Sequence, residues 1–455
     1  MTSWARNQEA VAVRIDDWHW VLFNPLGGGG VTVVNEAAYG VFCSIGQSTT
    51  TEEVLARWPG QEPEAIAVAE HLAGRGLIYA KPADGVRGPA GRVSQAGGRV
   101  LTAWLHVTND CNLRCPYCYV SKSRESMDEP TGRQAIRAVV NSAAVHRYQA
   151  VKLKYAGGEA SLNHRLVAGL HELARELTTE LGLGLWATLL SNGVALPPAL
   201  VRILKAEGIR VMISLDGIGD VHDDIRPTVG GRPSFRNVRR TIDQLVEQGH
   251  PPHLSVTITG RNARGLADVV RFALERDLTF SFNFFRDNDQ AAGSPDLSFD
   301  NELMISALRP AFGVIEEMLP PWSVLGSVLD RGQLLRPQQQ CCGVGQDYVV
   351  IDQRGRIAQC HMEIGRAVGD VRHDDPLVLI RDSAAPIKSV PVEEKEGCRE
   401  CNWRHWCSGG CPVATFRATG RWDIKSPNCS IYKTIYPEAL RLEGLRLLKY
   451  CKPCL

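Results

Sequence analysis

The chain has 455 residues with a formal net charge of +1, 44% hydrophobic and 22% charged residues, so it exceeds one compact core and about two to four domains are expected. Near-neutral charge excludes a bulk electrostatic attraction to nucleic acid or to a membrane surface, and no apolar run is long enough to span a bilayer. The opening MTSWARNQEAVAVRIDD lacks the apolar core of a secretory signal, so the expectation is a cytoplasmic protein with reduced thiols.

In chain order, residues 10–25 are rich in β-formers, a turn follows at Pro25 to Gly30, and GVTVVN is a second short strand. NEAAYGVFCSI has apolar residues at helical spacing. TTTEEVLARW opens on a Thr cap with Glu in the first turn. PEAIAVAEHLAGRGLIYA reads as a helix ending at Gly76 before a strand. Residues 1–80 thus resemble a small winged-helix domain. A Gly/Pro-rich linker follows at 81–99.

From residue 100 to 290 strands and helices alternate. Strands are expected at 100–107, 151–156, 185–190, 209–215, 254–258 and 278–284. Helical faces are formed by Ile136, Val139, Val140 and Ala143, by Leu166, Leu170, Leu173 and Leu177, and by Leu266, Val269, Val270, Ala273 and Leu274. Six β-then-α units imply a parallel α/β sheet with right-handed crossovers, either open and doubly wound or curved into a partial (β/α)6 TIM-like barrel. In both, functional side chains gather at the C-terminal strand ends. Residues 291–340 read as a helical bridge. Residues 341–430 are cysteine-rich and short of periodicity, so a metal is expected to order them. Residues 431–455 carry a last helix, near 435–449, and a tail.

Fourteen cysteines in a reduced protein read as metal ligands rather than disulfides. They cluster at 111–118, 341–360, 398–429 and 451–454. Cys43 stands alone and is expected to be a buried, inert thiol. Cys451 and Cys454 form a CxxC that fits a metal ligand, a redox pair, a hydrogen-atom donor to a substrate radical or an inert, mobile tail.

Cys111, Cys115 and Cys118 follow the first barrel strand. Three thiolates hold three irons of a cubane and leave the fourth iron open. A zinc ion would instead need a fourth ligand such as His106. CxxxCxxC with Tyr117 before its last cysteine resembles the signature of the radical SAM superfamily. The resemblance implies a 4Fe–4S cluster whose open iron chelates S-adenosylmethionine (SAM) and cleaves it to a 5′-deoxyadenosyl radical. Gly157, Gly158 and Glu159 resemble the family's GGE motif, which contacts the SAM amino group. A plain strand-end turn is the alternative. Ser191 and Asn192, then Ser214 and Asp216, end the third and fourth strands and are candidates for the ribose or carboxylate, with helix capping as the alternative. Arg226 reaches an anionic group or lies in a solvated loop.

Cys342, Gly355 and Cys360, then Cys398, Cys401, Cys407, Cys411 and Cys429, resemble the SPASM pattern, which implies two auxiliary 4Fe–4S clusters and three in all. By that family's ligation, Cys398, Cys401, Cys407 and Cys429 hold the outer cluster, and Cys342, Cys360 and Cys411 the inner one. Cys341 either closes the inner site or leaves it open to substrate. Residues 9–80, with VNEAA at 34–38, resemble the precursor-peptide recognition domain of peptide maturases, in which a leader adds to the sheet edge, here near 31–35, beside a helix near 63–75. A DNA-binding winged helix would need a basic recognition helix, which PEAIAVAEHLAGRG is not.

Together these resemblances imply a radical SAM maturase that cross-links a ribosomally made peptide, with a leader-bearing precursor and an electron donor such as flavodoxin or ferredoxin as partners, and neither nucleic acid nor membrane. Oxidation or epimerisation of a single residue is the alternative within the class. An iron–sulfur electron carrier or redox sensor is the alternative outside it. No catalytic acid or base stands out.

Overall fold

The computed structural model describes residues 3–25, 30–81, 99–291, 293–330, 332, 334–335, 337–372 and 375–451. Most of the expected linker at 81–99, and Cys454, lie outside them.

Six parallel strands form the centre: Val100–His106, Ala150–Ala156, Gly184–Ser191, Arg210–Ser214, His253–Ile258 and Phe280–Phe284. They stand in chain order across the sheet, each next to its predecessor. The partial (β/α)6 architecture is therefore the observed one. Alternation sorts the side chains: Val151, Leu153 and Tyr155 are buried in the main core, while Lys152 and Lys154 take the intervening positions.

Helices return the chain between strands. Glu129–Val145 starts on Asp128, whose carboxylate accepts the Thr131 amide at 2.8 Å, a cap of about 1 kcal/mol. It buries Ile136, Val139, Val140 and Ala143. His164–Glu180 buries Leu166, Leu170 and Leu173, and Leu266–Leu274 buries Leu266, Val269, Val270, Ala273 and Leu274. Asn301–Met318 packs on Leu266–Leu274 and on the last helix.

The cysteine-rich segment departs from expectation. Strand Tyr348–Ile351 joins the barrel sheet, parallel to Val100–His106, with Tyr348 opposite Thr102 and Ile351 opposite Leu105. Arg356–Ala358 and Ala367–Asp370 then continue the sheet antiparallel, making nine strands. The segment lacks the apolar content for a separate core, but Val349, Ile351, Ile357 and Leu377 are buried in the barrel's own core.

The N-terminal unit has two three-stranded antiparallel sheets. One pairs Val11–Arg14, His19–Phe23 and Val31–Asn35. The other pairs Thr49–Thr50, Ser3–Arg6 and Ile78–Lys81. Strand Ser3–Arg6 was not expected from the sequence. Helices run over Glu36–Ser44, Thr51–Leu55 and Glu62–Gly74. Thr50 and Glu53 make a reciprocal capping box.

Cys43 corrects the sequence reading: its thiol is exposed. On Glu36–Ser44 the buried face is Ala38, Val41 and Phe42, which puts position 43 on the opposite side. The last helix is longer than expected and runs from Cys429 to Tyr450 with Pro437 inside it. It packs on the N-terminal sheet so closely that a Cβ on Gly444 would lie 2.5 Å from Val21. Among the described residues, no helix is long and apolar enough to cross a membrane.

Candidate active site

The loop after the first strand carries Cys111, Cys115 and Cys118. It is pinned from two sides. The amide of Arg114 donates to Pro227 O at 2.8 Å and that of Val229 to Asn112 O at 3.0 Å. The amides of Gly158 and Glu159 donate to Thr108 O and Asp110 O at 2.6 and 2.8 Å. The second contact explains the glycines. A Cβ on Gly157 would lie 2.5 Å from Thr108 O, and one on Gly158 would lie 2.2 Å from Asp110 O. The GGE motif is thus the surface on which the cysteine loop rests, not a plain strand-end turn.

Glu159 is 2% exposed, and its carboxylate is spent on the protein. It accepts from the Ser161 amide at 3.1 Å, from Ser191 Oγ at 2.9 Å and from the Asn192 amide at 2.6 Å. Asn192 in turn donates to Asn112 Oδ1 at 2.6 Å and to Cys111 Sγ at 3.8 Å. Ser191 and Asn192 therefore connect the GGE motif to the cysteine loop.

Asp216 and Arg226 form a buried ion pair at 2.9 Å, with side chains 0% and 7% exposed. The solvated-loop reading of Arg226 is corrected: it lies under the cysteine loop. The Tyr117 hydroxyl is hydrogen-bonded to both partners. Asp216 also accepts the Thr257 amide at 2.7 Å. No described helix uses Ser191, Ser214 or Asp216 as its N-cap, so the capping alternative falls.

A cavity of about 510 Å³ opens at the C-terminal strand ends. It is lined by Cys111, Cys115 and Cys118 from the first loop and by Cys341, Cys342, Cys360 and Cys411 from the C-terminal region. Tyr117, Gly158, Asn192, Ser214 and Arg226 also reach it, whereas Gly157, Glu159, Ser191 and Asp216 stand behind that wall. Cys341 donates from Sγ to Gly410 O at 2.6 Å, beside Cys411.

Cys398, Cys401, Cys407 and Cys429 form a separate group away from the cavity, each within electrostatic reach of others in the set. Burial pushes Cys398 up to about 11 and Cys407 up to about 12. Burial likewise pushes Cys115 up to about 11, with Arg226 opposing it. Thiols buried in this way stay protonated unless a bound cation draws off the proton. Among the described residues, no three His, Cys, Asp or Glu side chains are set to hold a single metal ion. Cys111, Cys115, Cys118, Cys341, Cys342, Cys360 and Cys411 line one space instead, and an all-thiolate donor set fits iron–sulfur clusters. His106 is no fourth ligand to the first trio: it is 0% exposed, bonds Asn109 Oδ1 at 2.7 Å and does not line the cavity.

The remaining wall escaped the sequence reading. Trp104, Lys154, Met212, Ser255, Thr257, Ser281 and Asn283 face the cavity from alternate strand positions. A signal was present: the strands read K-L-K, S-V-T and S-F-N, a half-polar alternation unusual in a parallel sheet buried on both faces. Trp104, 9% exposed, has an indole N–H without a hydrogen-bond partner and stacks on His361 at 4.6 Å.

Residues 105–273, which carry this loop and the strands behind it, match the family model described as the Radical SAM superfamily. SkfB, the sporulation killing factor maturation protein of Bacillus subtilis, is 33% identical over 174 residues, 37% of this chain and 38% of that relative. The chain thus spans well under two thirds of that relative's length. The solved structure of native anSMEcpe with bound AdoMet and Cp18Cys peptide superposes with a TM-score of 0.62 at 18% identity, over 77% of this chain and 99% of the other. Streptococcus suis SuiB bound to its precursor peptide SuiA superposes with a TM-score of 0.52 at 14% identity, over 94% of this chain and 98% of the other. The two structures are likenesses of fold.

Proposed function

We propose that this chain is a radical SAM maturase, an oxidoreductase that installs a thioether, carbon–carbon or carbon–oxygen cross-link in a ribosomally made precursor peptide. The observation that carries this reading is the single cavity walled by the Cys111, Cys115 and Cys118 loop and by Cys341, Cys342, Cys360 and Cys411. A cross-link needs a hydrogen atom removed and then an electron removed from one substrate, so both functions must reach the same space. When bound, a 4Fe–4S cluster with SAM on the first trio would supply a 5′-deoxyadenosyl radical, and a cluster on the second set an electron acceptor.

The chain's own residues bind, orient and exclude water. Arg226, fixed by Asp216, lines the cavity, and its guanidinium, whose buried Nε–H has no partner, suits the methionine carboxylate of SAM. Asn192 holds the cysteine loop against the GGE segment. Among the described residues, strand Val31–Asn35 pairs with His19–Phe23 on one side only, and that edge suits a leader peptide adding as a strand. Both solved likenesses hold a peptide, which supports a peptide substrate. A flavodoxin or ferredoxin would deliver the first electron.

The product is lighter than the precursor by two hydrogens, one lost as an atom and one as a proton with its electron. The test is mass spectrometry of a peptide encoded beside the gene after incubation with reduced, reconstituted enzyme and SAM. An unchanged or heavier peptide would refute the cross-link.

A further inference from the structure

Arg286 lies two residues beyond the last barrel strand and lines the cavity. Its side chain is 11% exposed and is held as a fork: Nη2 donates to Asp330 Oδ1 and Oδ2 at 2.7 and 2.8 Å, and Nη1 to Phe284 O at 2.9 Å. Asp330 is itself fixed. It accepts the Phe284 amide at 2.9 Å and the Tyr432 hydroxyl at 3.1 Å, and it sits at φ 48°, where residues other than glycine are uncommon. Both terminal nitrogens are therefore engaged, Nη1 through one of its two N–H groups, and Nε is left buried without a partner.

An unmet N–H on a rigid, desolvated guanidinium is a donor kept for something outside the fold's own bonding. Cys411 lines the same cavity and lies within electrostatic reach of Arg286. Burial works against the charge on Arg286, and Asp330, joined by Cys411 when that thiol is ionised, outweighs it.

We propose that Arg286 is a tuning residue for the inner auxiliary site, its Nε–H donating to the sulfur held at Cys411 and so making the one-electron-reduced state easier to reach. The inference rests on the reading of Cys341, Cys342, Cys360 and Cys411 as a cluster site. A fixed N–H and a buried cation beside cluster sulfur stabilise the added negative charge, which raises the reduction potential. In turnover the electron comes from the substrate radical, which loses a proton as the new bond forms. In the test it comes from dithionite.

The experiment is a redox titration followed by electron paramagnetic resonance on the full reconstituted chain, with Cys115→Ala silencing the first site. Three samples are compared: Arg286 intact, Arg286→Lys, and Arg286→Gln with Asp330→Asn. The double variant avoids leaving a buried carboxylate alone. The expected result is an inner-site midpoint moved to more negative potential in both variants, while the outer-site midpoint stays fixed. An unmoved inner midpoint with both auxiliary clusters assembled would overturn this inference and leave the proposed function standing. Loss of the inner cluster from both variants would show a merely structural role and also overturn it. No inner cluster in the chain with Arg286 intact would remove both this inference and the electron-acceptor part of the proposed function.

Discussion

Tyr119 and His361 meet edge to face, with ring centroids 5.5 Å apart and planes at 63°. Each is the residue immediately after a cysteine, Cys118 in the first loop and Cys360 in the C-terminal region. The two cysteine systems, more than two hundred residues apart in sequence, are thus joined through neighbouring side chains. Trp104 stacks on the same imidazole, and the Tyr348 hydroxyl lies 3.0 Å from its Nδ1.

His361→Ala removes a ring shared by Trp104 and Tyr119. At about 0.5–1.5 kcal/mol for each ring contact, the loss should be about 1–3 kcal/mol. Urea unfolding of the metal-free chain measures it. A change below a few tenths would mean that the contact carries no weight.

Gly158 and Gly169 make a matched pair. Gly158→Ala places a Cβ 2.2 Å from Asp110 O, and backbone must move to admit it, at roughly 3 kcal/mol or more. Iron loading at the first site should fall with it. Gly169 lies exposed in helix His164–Glu180 with nothing within 4 Å of a built Cβ, so Gly169→Ala should stabilise by about 0.5–1 kcal/mol. Thermal melts of both variants check the opposite signs.

His222 governs part of the acid stability. It is 0% exposed, its Nδ1 accepts the Asp216 amide at 3.3 Å, and burial together with Arg226 lowers it from 6.5 to about 3. The folded chain keeps this imidazole neutral while the unfolded chain protonates it near 6.5, so its contribution is complete above that pH and is lost as pH falls toward 3. His222→Gln should flatten the acid limb of a stability–pH curve between these values by up to about 1.4 kcal/mol per pH unit. An unchanged slope would assign the limb to other groups.

Trp406 ties the N-terminal unit to the cysteine-rich region. Its indole N–H donates to Pro25 O at 2.9 Å, and its ring lies 4.5 Å from Phe23. Trp406→Phe keeps a ring but leaves the carbonyl unmet, at about 1–3 kcal/mol. Faster amide exchange in strand His19–Phe23, with the barrel strands unaffected, is the expected result.

The barrel was legible in the sequence because each strand and helix announces itself locally through period and caps. The six expected strands differ from the observed ones by at most two residues at either end. Strands Ser3–Arg6 and Tyr348–Ile351 were not legible, since each is only four residues long and is fixed by a distant partner, Ile78–Lys81 and Val100–His106 respectively. Cysteine spacing pointed to the thiols that line the cavity. Arg286 and Trp104 stayed hidden because nothing in the sequence tells that their N–H groups end buried and unpaired.

Cys111, Cys115 and Cys118 are the proposed seat of SAM cleavage. The most direct test is 5′-deoxyadenosine formation from SAM by reduced, iron-loaded enzyme, with Cys115→Ala beside it. The expected result is product from the native sequence and none from the variant. Equal product from both, or none from a native chain with its clusters assembled, would contradict it.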